Sequence, residues 1–439
     1  MKQKTHAIVI GGGIAGLVAA RVLTNHFDHV TILERDHYPE TPVFRPGVPQ
    51  GRQVHTMLLK GQQLLESLFP GIPAKLYAQG AVEQLYGHKS LYIYKGRRCL
   101  QIPPLLRGWN CSRILLEWQI RHYVQALSQV HILEGVEVIH LLPGQQPNTI
   151  RGVQFRKRGP TKGDIHELEG ALVVDASGAA SRAVQWLEEL GYEPPQETIV
   201  DAHIGYATQV YEPPINFQAE WTGIIAIQAR DNTRRGGILM RVEGERWMVG
   251  FSGTREEYPS TNEEEYRAFA QKLPDPIIYE AIKDAKPLSP IYGYRRTENR
   301  LRHFERLKRF PGNLVIMGDA ACTLNPVYGQ GMTIAVLEAL ILDTYLKQYR
   351  TKKRQEGFSR AFQRQVARTI RTPWILASSG DAPAKAKQGL ADQYVDRIFD
   401  LLTKDQKDLL VFLEVLHMLR SPFALLHPGI VAKVLAARK

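Results

Sequence analysis

The sequence predicts an α/β protein: a Rossmann-like nucleotide-binding domain, an inserted antiparallel-sheet domain that would hold substrate, and a helical C-terminal region. Three observations carry that expectation. The glycine turn Gly11-Gly12-Gly13-Ile14-Ala15-Gly16 lies between a short apolar run and a segment rich in alanine and leucine. Strand-like segments follow one another from His203 to Gly253 with turns between them. After a last buried strand near Leu314, the pattern is almost entirely helical.

Taken in order, Ala7-Ile-Val-Ile10 reads as a buried parallel strand, Ile14 to Leu23 as a helix and Val30-Thr-Ile-Leu33 as the second strand. A loop broken by Pro and Gly runs from Tyr38 to Gly51, and a helix follows from Met57 to Leu68. Leu91-Tyr-Ile-Tyr94 is the clearest strand between residues 80 and 106. Ser112 is placed to cap a helix from Arg113 to Leu127. Strands are expected at Val136 to Leu142, Ile150 to Lys157 and Ile165 to Val174. The adjacent strands Ile204 to Tyr211, Gly223 to Arg230, Gly237 to Val242 and Arg246 to Phe251 form a mostly antiparallel sheet. Helices at Glu263 to Lys272 and Ile277 to Asp284 precede the strand Leu314 to Met317 and the helix Met332 to Tyr349. Residues 1–80, 107–190 and 291–345 would form the nucleotide-binding domain, 81–106 and 191–290 the sheet domain, and 346–439 the helical region.

Composition narrows the class. With 439 residues, 44% hydrophobic and 23% charged, the chain can bury substantial cores, and wholesale disorder is excluded. The three cysteines, Cys99, Cys111 and Cys322, are odd in number and lack metal-site spacing, which argues against a disulfide framework or a zinc site and fits a reducing compartment. No signal-peptide pattern and no apolar stretch of about 18 residues is present, so a cytoplasmic protein is expected. The net charge of +12 concentrates in the C-terminal third, notably Lys347 to Arg371. A solvated helix face explains it plainly; attraction to an anionic membrane surface or to a phosphorylated cofactor are the sharper readings. No nucleic-acid recognition module is visible, and nucleic acid is not an expected partner.

The glycine turn is a G-x-G-x-x-G between strand and helix. Gly11 permits the tight turn, Gly13 lets a pyrophosphate approach the backbone, and Gly16 lets helix and strand pack closely. Unpaired N–H groups at Ile14 and Ala15, with the positive end of the helix dipole, favour the phosphates. Glu34, at the end of the second strand with Arg35 beside it, is placed to accept hydrogen bonds from an adenosine ribose. The turn by itself does not separate NAD from FAD.

Two later segments do. Leu172-Val-Val-Asp175-Ala-Ser-Gly178-Ala-Ala-Ser-Arg182 resembles the middle signature of the flavoprotein hydroxylases, with its Asp and Gly spread apart. Gly318-Asp319-Ala-Ala-Cys322-Thr-Leu-Asn-Pro326-Val-Tyr-Gly329-Gln-Gly331-Met332 resembles their third signature. Over about residues 5 to 345 the chain resembles the class A FAD-dependent monooxygenases, of the para-hydroxybenzoate-hydroxylase-like fold. Flavin epoxidases and hydroxylases of natural-product pathways, squalene-epoxidase-like and polyether-epoxidase-like, are the nearest in pattern. The resemblance implies FAD as cofactor, with NADPH or NADH as electron donor. It implies that Asp175 and Gly178 touch the cofactors, that Asp319 binds a ribityl hydroxyl, and that Pro326 shapes the flavin-side loop. Gly329, Gly331 and Met332 would open a helix toward the flavin N1–C2=O edge. Arg45 and Arg113, in segments resembling the family's loop and helix start, would approach FAD, and Gln50 to His55 would lie near its ring. Many hydroxylases carry His where this chain has Cys322.

In that family, reduced flavin captures O2 as a C4a-hydroperoxide and passes oxygen to an electron-rich carbon or alkene, so few catalytic side chains are required. No catalytic residue is assigned with certainty; His55 is read as a proton relay near the flavin or as a structural histidine. Tyr206, Trp221, Ile225, Ile227, Met240, Trp247 and Phe251 are candidates for the wall of the substrate pocket, with plain sheet core as the competing reading. Their apolar content suggests a lipophilic, natural-product-like substrate. The expected activity is epoxidation or hydroxylation. The alternatives are a reductase of the geranylgeranyl-reductase type, a flavin halogenase (set back by the lack of a W-x-W-x-I-P motif) and a non-catalytic flavin carrier. The tail from Leu409 to Ala437 would cap the pocket, rest on a membrane surface or pack as a helical hairpin.

Overall fold

In the computed structural model of the chain, the described residues are 5–159, 163–228, 235–254, 257–351, 357–381 and 389–436. The strand end expected at Arg230, the tail end at Ala437 and residues 352–356 of the basic segment lie outside them. The first strand, β1, is His6–Ile10; it leads through the glycine turn into helix α1, Ile14–Leu23, and on to strand β2, His29–Leu33. β1 is the centre of a five-stranded parallel sheet. β2 and Val130–Leu133 lie on one side, Leu172–Asp175 and Leu314–Ile316 on the other. Ala7, Ile8 and Val9 are fully buried, as a parallel strand covered on both faces demands. On one face, α1 packs against the long helix Gly331–Thr351 over Leu17, Val18, Val336 and Ala339. The other face buries Ile8, Trp186, Leu187 and Phe304.

The stretch from Ile165 to Val174, expected as one strand, is two. Ile165–Glu169 pairs antiparallel with Ile150–Lys157, whereas Leu172–Asp175 joins the parallel sheet. The backbone changes partner at Gly170: its N–H bonds to Arg151 O, and the next N–H, of Ala171, to His6 O. A side chain at 170 would stand 2.9 Å from the Ile8 side chain, so glycine is what allows the crossing.

The large antiparallel sheet contains Ile204–Glu212, Arg246–Thr254, Gly236–Val242 and Gly223–Ile227, extended by Ser90–Tyr94 in parallel with the last of these. Tyr292–Tyr294, which the sequence groups with the nucleotide-binding part, pairs with Ile204–Glu212 in this sheet. Helices Glu263–Gln271 and Ile277–Ile282 contribute Tyr266, Phe269 and Ile278 to the core on one face. Asn262 caps the first by accepting from the N–H groups of Glu264 and Glu265, and Ser112 caps Arg113–Gln125 through the Leu115 N–H.

The C-terminal helices Leu390–Leu402, Gln406–Leu416 and Pro428–Ala436 pack together with Tyr86, Tyr92 and Ile102. His417 pins this layer to the rest: its Nδ1 accepts the Leu59 N–H at 3.3 Å and its ring lies 4.1 Å from that of Tyr86. Burial depresses the imidazole from 6.5 to about 3, so His417 is neutral near pH 7. Its contribution is therefore complete above pH 6.5 and is lost as pH falls toward 3, because the unfolded chain binds the proton first. Within that window each unit of acidification costs up to about 1.4 kcal/mol. Thermal melts of the wild-type chain should fall more steeply below pH 6.5 than those of His417→Gln; parallel curves would remove His417 as the cause.

Candidate active site

The carboxyl ends of β1, β2, Leu172–Asp175 and Leu314–Ile316 point the same way, and the segments that follow each open on one cavity of about 1710 Å³. This is the crevice in which open parallel sheets bind their ligands. The cavity continues past the flavin-type loop at Pro326–Met332 to the antiparallel sheet and the C-terminal helices.

At the nucleotide end, Gly11 has φ +93°, a conformation that glycine adopts without strain. A Cβ at Gly16 would sit 1.8 Å from Gly11 O, so Gly16 serves the helix–strand contact and does not line the cavity. A Cβ at Gly13 would meet nothing within 4 Å, so its backbone faces open space. Gly11, Gly13, Ile14, Ala15, Glu34 and Arg35 line the cavity. Glu34 Oε2 accepts the Gly12 N–H at 2.6 Å, and Oε1 accepts the Asp36 N–H at 2.9 Å. A carboxylate has about four acceptor sites, which leaves room for a sugar hydroxyl. Arg35 bonds to Gly47 O at 3.0 Å.

Arg45 is the hub beneath this turn. It lies 3.2 Å from Glu34, 3.1 Å from Asp36 and 2.7 Å from Glu117, and also donates to Gly12 O. Burial opposes its charge, but Glu117 and Glu34 outweigh it and hold the guanidinium firmly protonated. Arg113 pairs with Glu117 at 3.1 Å and lines the cavity. Asp175 corrects the expectation: it is fully buried and does not line the cavity. Its carboxylate accepts from Ser177 N–H at 2.9 Å and from the hydroxyls of Ser177 and Ser181 at 2.5 Å each. It organises the turn, and Ala176, Ser177 and Gly178 (φ +82°) are what face the cavity.

At the other end, Gly318, Asp319, Pro326, Gly329, Gly331 and Met332 line the cavity. Burial raises the Asp319 carboxyl while Arg113 draws it back down. The Gly318 N–H is held at 2.5 Å by Glu338, a residue sequence reasoning passed over as an ordinary helix position. Glu338 is fully buried, and burial pushes its carboxyl up to about 8, against the pull of the Gly318 N–H. His55 lines the cavity; burial, then Arg113, depress it to about 4. Its Nδ1 donates to Gln53 O at 2.9 Å, which fixes a neutral imidazole with Nε2 as acceptor. Cys322 is buried, and burial raises its thiol.

These residues fit FAD. Gly13 leaves the backbone bare where phosphates would approach. Gln330 lines the cavity at the far end, and its buried Oε1 has no hydrogen-bond partner among the described residues. Such an acceptor is costly to leave unpaired and suits a ligand donor. Asp319 and the start of the helix Gly331–Thr351 complete that end. FAD would lie against the turn at Gly11–Ala15 and the loop at Gly318–Met332.

On the substrate side, pleating separates two faces. Tyr206, Thr208, Ile225, Ile227, Ile238, Gly250 and Ser252 line the cavity. The alternate residues Ala207, Ile224, Leu239 and Val249 face the helix-covered core. Phe251 borders the cavity but is only 1% exposed, and its ring packs on Tyr266 and Phe269 at 4.6 and 5.4 Å. Trp221 and Trp247 are core residues, 5.7 Å apart, with Phe217 between the sheet and its helices. Met240 is covered by the loop before helix Leu59–Leu68, with Thr56 Oγ1 3.0 Å from its sulfur, and does not reach the cavity. The opposite wall comes from Ile375, Leu376, Val395, Phe399, Phe412 and Leu416 of the C-terminal helices, so the tail caps the chamber. Among the described residues, no helix is long and apolar enough to cross a membrane, and no cluster suits a metal ion.

The family description "NAD(P)-binding Rossmann-like domain" matches residues 9–58. The chain is 33% identical to protein Rv3254 of Mycobacterium tuberculosis over 384 residues, which is 86% of this chain and 80% of that one. It is 25% identical to the 6-hydroxy-3-succinoylpyridine 3-monooxygenase HspB of Pseudomonas putida, across 83% of this chain and 84% of that one. Among solved structures, a triple mutant of the flavin-dependent brominase Bmp2 superposes with a TM-score of 0.67 at 14% identity, covering 98% of each chain. A brominase thus shares the whole fold, and the missing W-x-W-x-I-P motif does not set halogenases apart on architecture.

Proposed function

Because this chain belongs to the family of Mycobacterium tuberculosis protein Rv3254 and is an FAD-dependent oxidoreductase served by NAD(P)H, we propose that it is a monooxygenase that hydroxylates or epoxidises a lipophilic substrate. One observation carries the reading: the nucleotide crevice and a chamber walled by Ile225, Ile227, Phe399 and Phe412 are a single cavity. Bound FAD supplies the oxygen activation. The chain's own residues bind, orient and keep water out. The N–H groups at the start of Gly331–Thr351 favour negative charge on a group beside them. Neutral His55 offers an acceptor, and the aliphatic walls exclude solvent, which strengthens those polar contacts.

Halogenation is the second reading, favoured by the full-length match to a brominase fold. The test is NADPH-driven turnover of the FAD-loaded protein with candidate lipophilic arenes and alkenes, with and without chloride or bromide. Oxygenated product with O2 consumption and no halide dependence is expected. Halide-dependent product would favour the halogenase, and anaerobic turnover would show a reductase.

A further inference from the structure

The helix Phe358–Asp381 carries its charge on one side. Arg360, Arg364, Arg368 and Arg371 are all exposed. Spacings of four, four and three residues stack them on one helix face, and Ile375 continues the row. Phe362, Val366, Ile370 and Ala377 form the opposite face and are buried. The helix holds no acid before Asp381 at its last position, and none of the four arginines has an ion-pair partner among the described residues. Like charges one turn apart repel, and an anionic surface laid along the row relieves that repulsion.

The row ends where the apolar chamber meets solvent. Ile375 and Leu376, 50% and 41% exposed, line the cavity, as do the exposed Val327 and Val395. Leu425 lines it too, between Phe423 and Leu426 of the turn Pro422–Leu426, which are 78% and 53% exposed. Tyr394 Oη donates to Leu425 O at 2.6 Å, which ties the turn to the helix Leu390–Leu402 while those two side chains project outward. Exposed apolar side chains grouped at one opening mark an interaction surface. An acidic protein would answer the arginines alone. A bilayer answers both features, with phosphate headgroups for the arginines and the upper acyl chains for the rim.

We propose that this face docks peripherally on an anionic membrane surface, the arginine row along the headgroups and the rim of Ile375, Leu376, Phe423 and Leu426 dipping below them. No helix among the described residues is long and apolar enough to cross a membrane, so the contact is superficial and reversible. The chamber then opens onto the lipid. That such an opening feeds the chamber rests on the lipophilic-substrate reading; the docking itself does not.

The experiment floats the FAD-loaded full chain with vesicles of phosphatidylcholine, alone or mixed with phosphatidylglycerol. The chain should rise with the mixed vesicles, stay behind with phosphatidylcholine alone, and be released by salt. Arg364→Gln, Arg368→Gln and Arg371→Gln together should weaken binding to the mixed vesicles by about a hundredfold, about fivefold for each charge. Phe423→Ser with Leu426→Ser should weaken it by at least about tenfold. All five side chains are exposed, so flavin absorbance and the thermal melt should match the wild type. Orientation is read from Phe423→Trp and Ile165→Trp, the latter 61% exposed on a strand that does not reach the cavity. Lipids brominated on their acyl chains should quench the added emission at 423 and leave that at 165. No flotation with phosphatidylglycerol would overturn the proposal and leave the arginines to an acidic protein; binding that survives both sets of substitutions, or equal quenching at the two positions, would overturn it as well. Flotation needs no turnover, so its failure is separate from any failure of the oxygenase reading, which O2 uptake tests.

Discussion

Gly13→Asp is expected to give a folded, colourless protein. Gly13 is the N-cap of α1, with extended backbone (φ −75°, ψ −175°) and no side-chain cap of its own. Aspartate is among the best residues at that position, because its carboxylate accepts an orphan N–H of the first turn. Nothing lies within 4 Å of the Cβ it would add. The folded chain therefore tolerates the change, and the melting temperature should hold or rise. The same carboxylate would stand where the FAD phosphates must come, and like charges so juxtaposed cost several kcal/mol. FAD affinity should fall by about a thousandfold, or about 4 kcal/mol. Visible absorbance after loading with FAD, read beside a thermal melt, checks both halves. Gly16→Val is the contrast: with Gly11 O only 1.8 Å from its Cβ, it should fail by unfolding. A yellow Gly13→Asp protein would mean that phosphates do not bind at this turn.

Arg45→Met should be the most destabilising single change at the site. It deletes the cation shared by Glu34, Asp36 and Glu117, whose side chains are 4%, 7% and 10% exposed. Breaking a buried ion pair by removing one partner costs about 3–5 kcal/mol, since the remaining charge stays buried without compensation. Arg113 still reaches Glu117, so the loss falls chiefly on Glu34 and Asp36. Guanidinium unfolding curves measure it. Adding Asp36→Asn to Arg45→Met should restore about 1–3 kcal/mol, the scale of coupling between contacting groups, because it removes one of the carboxylates left without its cation. An unchanged midpoint in the single variant would show that the cluster contributes specificity rather than stability.

The contrast between Gly13 and Asp175 shows what the sequence could and could not convey. A tight turn between strand and helix is a local event, encoded in contiguous residues, and Gly11, Gly13 and Glu34 stand where the pattern places them. Asp175 also sits at a strand end, but its orientation depends on Ser177 and Ser181, which capture it. Trp221 and Met240 show a second limit. Period-two alternation tells which residues share a face, yet both faces of the large sheet are apolar, one against helices and one against the cavity. Composition alone cannot choose between them. Phe399 and Phe412 were illegible for a third reason: they reach the chamber only through the packing of helices distant in sequence from the flavin loop.

The strand order of the parallel sheet bears on how the chain reaches this state. β1 emerges first, but its neighbour Leu172–Asp175 and the edge strand Leu314–Ile316 are made much later. Pairings so distant in sequence must close large loops before they return any stabilisation, which slows folding. Until the ribosome has released residue 316, the apolar flank of Leu172–Asp175 has no partner strand. During synthesis the chain thus carries an unpaired, aggregation-prone sheet edge, the period in which a chaperone would be needed most.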